Sequence, residues 1–238
     1  MPQTLTRDVP SAAEAHALGE EYVTALGKII NSHVRNEAAG AAVFDEPSIS
    51  LAPTPREKWL ACRMAMEEYG HHLKFNKLAN ELGLEDAHSR PPLSVFDYQV
   101  TSWTDYVMTK AIVDLAEIVL MEDLCECSYV PLRELCRSLM PEERFHVRFG
   151  ATSARRLAAD PATREEVRSS AHRLITMTVP FFGRSDSRNN EIFRAWGIKR
   201  LTNDESRAEF IRRTRALLCD DLGLDYPEVE TRWHGTTS

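Results

Sequence analysis

Glu143-Arg144-Phe145-His146, and before it Glu68-Tyr69-Gly70-His71, decide how this chain is read. Each is a carboxylate followed three residues later by an imidazole. On an α-helix that spacing puts both side chains on one face. One such pair arises by chance in many helical chains, so the surroundings matter more than the pair. Around the earlier pair an apolar line runs Leu60, Met64, then 68 and 71, then Phe75, Leu78, Leu82. Around the later pair it runs Leu132, Cys136, Leu139, then 143 and 146. Steps of three and four mark one helix face. Two Glu/His pairs therefore stand where core residues are expected, and a carboxylate in a core is costly unless it is paired or bound to metal.

Two more carboxylates continue such lines. Residues 11 to 38 read as one long helix with the stripe Val23, Leu26, Ile30, His33 or Val34, and then Glu37. Taken alone, Glu37 reads as an exposed residue near a helix end; beside two Glu-x-x-His pairs it reads as a ligand. A helix from about 99 to 127 carries Val107, Ala111, Asp114, Ile118, Met121 and Cys125, with Asp114 on the line and Glu117 its rival one turn on. Glu67 and His72 flank the first pair; the stripe prefers 68 and 71, which leaves 67 and 72 as supporting or surface groups. The inventory is Glu37, Glu68, His71, Asp114, Glu143 and His146, distributed one-two-one-two over four helices. That distribution is the ligand pattern of ferritin-like di-iron bundles. Hard carboxylate oxygens with two imidazoles suit two iron ions, or manganese, better than zinc. Glu37, Glu68, Asp114 and Glu143 are then the catalytic carboxylates beside bound O2.

The expected fold is all-α: a ferritin-like four-helix bundle over residues 1–182, with a C-terminal helical extension over 183–238 packed on the same domain. Thr54-Pro55-Arg56-Glu57 is a helix start, and Gly83 a stop. Pro47, Pro53 and Pro55 predict a non-helical connector over 39–55. A polar loop containing Pro91-Pro92 should follow the second long helix. Pro131 should break or kink the chain before the fourth helix, which runs to about Ala159. Further helices are expected at 162–181, 190–196 and 203–222, and a loosely ordered tail from Pro227.

Composition narrows the classes. The chain has 238 residues, 43% of them hydrophobic, which is ample for a core. No apolar run approaches the roughly 18 residues needed to cross a membrane. The first residues lack a basic start and an apolar segment, so no signal peptide is read. A net charge of −7 speaks against nucleic acid. Five cysteines without metal-type spacing imply reduced thiols and a cytoplasmic protein. There is no Gly-x-Gly-x-x-Gly, flavin motif or iron–sulfur pattern, so electrons for O2 chemistry must come from a separate NAD(P)H-dependent reductase.

The stretch Asn36-Glu37-Ala38-Ala39-Gly40 and the helix 67–72 resemble the catalytic A subunits of bacterial phenylacetyl-CoA epoxidases. So do the block from Cys127-Ser128-Tyr129 to Glu143-Arg144-Phe145-His146 and the run from Trp196-Gly197-Ile198-Lys199-Arg200 to Glu205. The resemblance spans about residues 20 to 226. It implies a ferritin-like di-iron monooxygenase with the six ligands at the six stripe positions. It also implies a CoA-thioester substrate such as phenylacetyl-CoA, a reductase component, and pairing with a similar, metal-free bundle subunit, self-association being the alternative. One departure is Met64, where the family tends to carry a Lys; its absence predicts a cavity by Met64 with a more apolar wall. A specialised biosynthetic oxygenase with a non-CoA substrate, a metal-storage protein and a non-catalytic scaffold are the competing classes. A radical-generating subunit would need a Tyr close to the metals, and Tyr69 points off the ligand face.

Overall fold

The computed structural model describes residues 7–84 and 93–235; the expected Pro91-Pro92 loop lies outside them. Among these residues the chain is all-α, its only β feature an isolated bridge between Val9 and Tyr129. Four long helices form the bundle: α2 (Glu20–Gly40), α4 (Pro55–Glu81), α5 (Trp103–Leu124) and α6 (Val130–Ala159). Helix α2 pairs with α4 and α5 with α6, and α4 meets α6 across the middle. Short helices α1 (Ala12–Ala17) and α3 (Glu46–Leu51) flank α2, and α7 (Arg164–Thr178), α8 (Arg188–Ala195) and α9 (Asn203–Arg215) follow the bundle. No helix among the described residues is long and apolar enough to cross a membrane.

Local chemistry sets the helix ends. Thr54 caps α4 by accepting from the Glu57 amide at 3.2 Å, with Pro55 in the first turn, where a missing N–H costs nothing. Gly83 ends α4 at φ +66°, a conformation that side chains with a Cβ rarely adopt. Pro131 lies in the first turn of α6 and starts that helix; α6 runs unbroken through Pro141, which is exposed. At Gly150 of α6 the helices approach so closely that a Cβ would lie 2.4 Å from the Ala111 amide nitrogen of α5.

Three expectations need correction. Residues 11–38 are two helices, because Gly19 at φ +106° turns the chain between α1 and α2. The span 39–55 is mostly helical: α2 runs into a π-helical turn, Ala41–Asp45, and then into α3. Pro47 falls in the first turn of α3, next to the π-helical turn, Pro53 beyond the end of α3 and Pro55 in the first turn of α4. The tail past Pro227 is tied down at Thr231 and Trp233. The Ser185 amide donates to the Trp233 carbonyl at 2.7 Å, the Trp233 amide donates to Ser185 Oγ at 2.9 Å, and buried Arg207 reaches the Thr231 carbonyl.

The C-terminal segment packs on the bundle through the motifs singled out above. Ser128 Oγ donates to the Trp196 carbonyl at 2.8 Å, and its amide to the Gly197 carbonyl at 2.7 Å. Buried Asp123 accepts from the amides of Arg200 and Leu201. These bonds fix the α5–α6 corner, so the Cys127-Ser128-Tyr129 and Trp196–Leu201 motifs form one joint.

Candidate metal centre

The four long helices bring all six predicted residues together in the middle of the bundle, every one of them buried. They form two overlapping groups of four, each with donor atoms within 4.8 Å of one another. One is Glu37, Glu68, His71 and Glu143; the other is Glu68, Asp114, Glu143 and His146. Glu68 and Glu143 belong to both, and their oxygens are divided between the two histidines. His71 Nδ1 lies 2.9 Å from Glu143 Oε1 and 3.7 Å from Glu68 Oε2. His146 Nδ1 lies 3.1 Å from Glu68 Oε1 and 3.9 Å from Glu143 Oε2. Glu37 stands on the His71 side at 3.6 Å, Asp114 on the His146 side at 3.6 Å. Two shared carboxylates between two His/carboxylate ends form a donor set that could hold metal.

The orphaned atoms make the same point. His71 Nδ1, His146 Nδ1, Asp114 Oδ2 and Glu143 Oε1 are buried without a hydrogen-bond partner in suitable geometry. Buried polar atoms are rarely left so, and these four converge on the centre. The outer ring nitrogens are satisfied: His71 Nε2 lies 2.8 Å from Glu142 Oε2, and His146 Nε2 lies 2.8 Å from Glu67 Oε2. In the neutral imidazole a proton on Nε2, donated to a carboxylate, leaves Nδ1 as a lone pair facing inward, the arrangement that prepares a histidine to bind a metal. The supporting carboxylates are exchanged between motifs. Glu67 precedes Glu68 but serves His146, and Glu142 precedes Glu143 but serves His71. The stripe leaves Glu67 as a supporting group; it gives no sign of Glu142, although both motifs run Glu-Glu-x-x-His.

Electrostatics follow from burial and crowding. Burial pushes Glu37 up to about 7, against the pull of His33 and His71. Burial also raises Asp114, although Lys110 opposes it. Burial raises Glu68 too, but the Lys110 ammonium and the two histidines outweigh it and hold the carboxyl well below the usual range. Burial lowers His146, yet Glu67 and Glu68 carry it up to about 10; His71 is likewise carried up by Glu143, Glu37 and Glu68. The cluster is short of positive charge, and two divalent cations would supply it.

Part of that charge comes from a residue that the sequence pattern does not single out. Lys110 of α5 is buried, with Nζ 2.9 Å from Glu68 Oε1, 3.2 Å from Asp114 Oδ2 and 3.0 Å from Asp45 Oδ1. Asp45 is also buried and accepts from the Tyr106 hydroxyl at 2.8 Å. It stands at the end of the π-helical turn, which shifts the helical phase so that it faces the centre. The expectation of a cavity by Met64 with a more apolar wall is therefore corrected. Met64 packs with Ala61 and Tyr106, and the cation enters from the opposite helix. The cavity beside the carboxylates, about 40 Å³, opens instead between α2 and α5, where Asn36, Phe44, Val113 and Glu117 help line it. Of the rivals, Glu117 pairs with His33 at 2.9 Å and so braces Glu37, 3.7 Å from the same ring nitrogen. His72 Nδ1 donates to the Val34 carbonyl, and Tyr69 donates to Glu46 away from the centre.

Comparison with known proteins agrees in family. Residues 9–238 match the phenylacetic acid catabolic protein family. The chain is 30% identical over 223 residues to the A subunit of 1,2-phenylacetyl-CoA epoxidase from Escherichia coli (strain K12), covering 89% of this chain and 71% of that one. The chain belongs to the phenylacetic acid catabolic protein family.

Proposed function

We propose that this chain is the catalytic subunit of an O2-dependent di-iron monooxygenase that oxygenates an aromatic or acyl substrate, first among them phenylacetyl-CoA. A role in phenylacetate catabolism is supported by the family and by the epoxidase relative. The metal reading rests chiefly on one observation: two overlapping groups of four ligands, with both histidine Nδ1 atoms unpartnered and both Nε2 atoms held by carboxylates. Bound there, a pair of iron ions supplies the two-electron chemistry that splits O2 between the substrate and water.

The chain's own residues define the rest. Glu37 and His71 would hold metal in one group and Asp114 and His146 in the other, with Glu68 and Glu143 belonging to both groups. Glu67 and Glu142 fix the histidine tautomers, and Lys110 offsets carboxylate charge without taking a ligand position. The small cavity offers room for O2 and little water, which protects a reactive centre from side reactions. A second cavity, of about 270 Å³, shares Asn36, Glu117 and Phe181 with the first. Phe193 and Leu120 give it apolar wall for an aromatic ring, and Lys28 and Lys199 give it cations for an anionic substituent. The balance is substrate, O2, two electrons and two protons to one epoxide and one water, with electrons from a separate NAD(P)H-dependent reductase.

The test is turnover with ¹⁸O2 in the presence of a reductase and NAD(P)H. One labelled oxygen in phenylacetyl-CoA, at a rate above roughly 1 per second, supports the reading. Oxygenation of free acids only would move the chain to another substrate class, and steady turnover without any reductase would overturn the electron route.

A further inference from the structure

One histidine and one carboxylate outside the six ligands repeat the geometry of the metal centre. His33 of α2 is buried, and its ring stacks on Phe75 at 4.6 Å, which fixes where Nδ1 points. It stands one turn before Glu37 on the same face of α2. Glu117 of α5 meets it there. His33 Nδ1 lies 2.9 Å from Glu117 Oε1 and 3.7 Å from Glu37 Oε1. One donor atom from each of the three residues falls within 4.8 Å of the other two.

An ordinary ion pair does not account for the His33–Glu117 contact. At 2.9 Å the two atoms are close enough to bond, yet Glu117 Oε1 is buried without a hydrogen bond in suitable geometry. His71 Nδ1 and Glu143 Oε1 show the same combination at the centre, 2.9 Å apart with both atoms orphaned. Donors that each stand about 2.1 Å from one ion, at right angles to each other, are about 3 Å apart. Lone pairs aimed at a common point, rather than a proton aimed at an oxygen, give that spacing without a hydrogen bond. Asn36 Oδ1, on the wall of the same cavity, is a further buried oxygen without a partner.

Glu37 ties this group to the centre. Its Oε2 faces His71 at 3.6 Å and its Oε1 faces His33 at 3.7 Å, both too long for hydrogen bonds. Its carboxylate is thus divided between two histidines, as those of Glu68 and Glu143 are. Among the described residues the ion pairs of Glu37 and Glu117 are all with histidines, so neither has an ammonium beside it as Glu68 has. Glu117 and Asn36 line both the small cavity at the centre and the 270 Å³ cavity outside it, and His33 lines the outer one. An ion held here has room for water on its open side.

We propose that His33, Glu37 and Glu117 form a third site for a divalent cation, ferrous iron or manganese, beside the paired centre. One imidazole and two hard carboxylates suit those ions. The site has three protein ligands and shares one of them, so it fills after the pair and holds its ion more loosely. The inference rests on the proposed function only in that sharing of Glu37.

The experiment titrates the protein already holding two ferrous irons with Mn²⁺ under anaerobic conditions. Bound manganese is read by loss of the free-ion electron paramagnetic resonance signal, and retained iron is measured in the same samples. Crystals of the titrated wild type, measured at the manganese absorption edge, locate the ion. The variants are Glu117→Gln, which keeps the shape of the side chain, and His33→Phe, which keeps a ring against Phe75. The expected result is one Mn²⁺ taken up without release of iron, with its anomalous signal between His33, Glu37 and Glu117. Each variant should keep both irons and bind Mn²⁺ at least about tenfold more weakly, the least that losing a support of a metal site costs. Helical content is checked in both, and the wild-type crystal decides the matter if either variant folds poorly. No uptake by the wild type, an anomalous signal elsewhere, or wild-type affinity in both folded variants overturns the proposal. Two irons with no third ion would leave the paired centre standing and remove this site. Manganese at this site in a chain that never holds the pair would sink the proposed function and leave the site standing.

Discussion

Removing the buried ammonium at the centre is the most revealing single change. Lys110 touches three buried carboxylates at about 3 Å, those of Asp45, Glu68 and Asp114. At an effective dielectric near 20, each contact is worth roughly 5 kcal/mol of gross attraction. Desolvating the four charges consumes most of that sum. What decides the outcome is that Lys110→Met leaves Asp45 with only the Tyr106 hydroxyl and sets Glu68 against Asp114. Breaking a buried ion pair from one side costs about 3–5 kcal/mol, which in a chain of this size lowers the unfolding temperature by roughly 6–20 °C. Two divalent cations would replace much of the missing charge, so the loss should shrink when the protein is loaded with ferrous iron. A Lys110→Met/Asp45→Asn double variant should recover part of the loss in the metal-free protein. The assay is thermal unfolding by circular dichroism with and without metal, with exposed Lys77→Met as the control. If metal-free Lys110→Met unfolds within a degree or two of that control, the charge account of the centre is wrong.

Three further outcomes follow from the geometry. Glu67→Gln and Glu142→Gln should each weaken metal binding by about 10–100-fold, read by chelator competition, with Glu142→Gln perturbing the His71 end and Glu67→Gln the His146 end. Gly150→Ala forces a methyl group onto the Ala111 backbone; overpacking of this kind costs about 1–3 kcal/mol, and denaturant unfolding should show it. Asp105 is raised by burial but held below its usual 3.8 by Tyr98, Thr101 and Ser170, so its bonds stabilise the fold above that pH. The stability gap between wild type and Asp105→Asn should be full at pH 7 and close as the pH falls below about 3.8 through the lowered value.

The residues legible in the sequence are those where charge interrupts a clear apolar line. Helices α4 and α6 each have one buried and one wet face, so Glu68, His71, Glu143 and His146 stand out as polar groups on the wrong side. Helix α5 is buried on nearly every side, so the line through Val107, Ala111, Asp114 and Ile118 is not set off by a wet face. Asp114 is visible because Asp is rare there; Lys110, one turn away on the same side, is not. Glu142 lies off its stripe, and only the partner helix reveals that it answers His71. Asp45 is hidden by the three prolines, which suggest a loop where the chain instead makes a π-turn and aims a carboxylate inward. The tail's order depends on Ser185 and Arg207, some fifty and twenty-five residues away, and local composition carries no trace of such contacts.

The measurement that bears most directly on this account is anaerobic ferrous iron titration of the wild type and of single-site variants at the shared carboxylates. Two irons per chain should bind the wild type. Glu68→Ala and Glu143→Ala, which each remove a ligand from both groups, should lose most of both irons while keeping their helical content. Full binding of two irons by either variant, or one iron or none by the wild type, would contradict a paired metal centre.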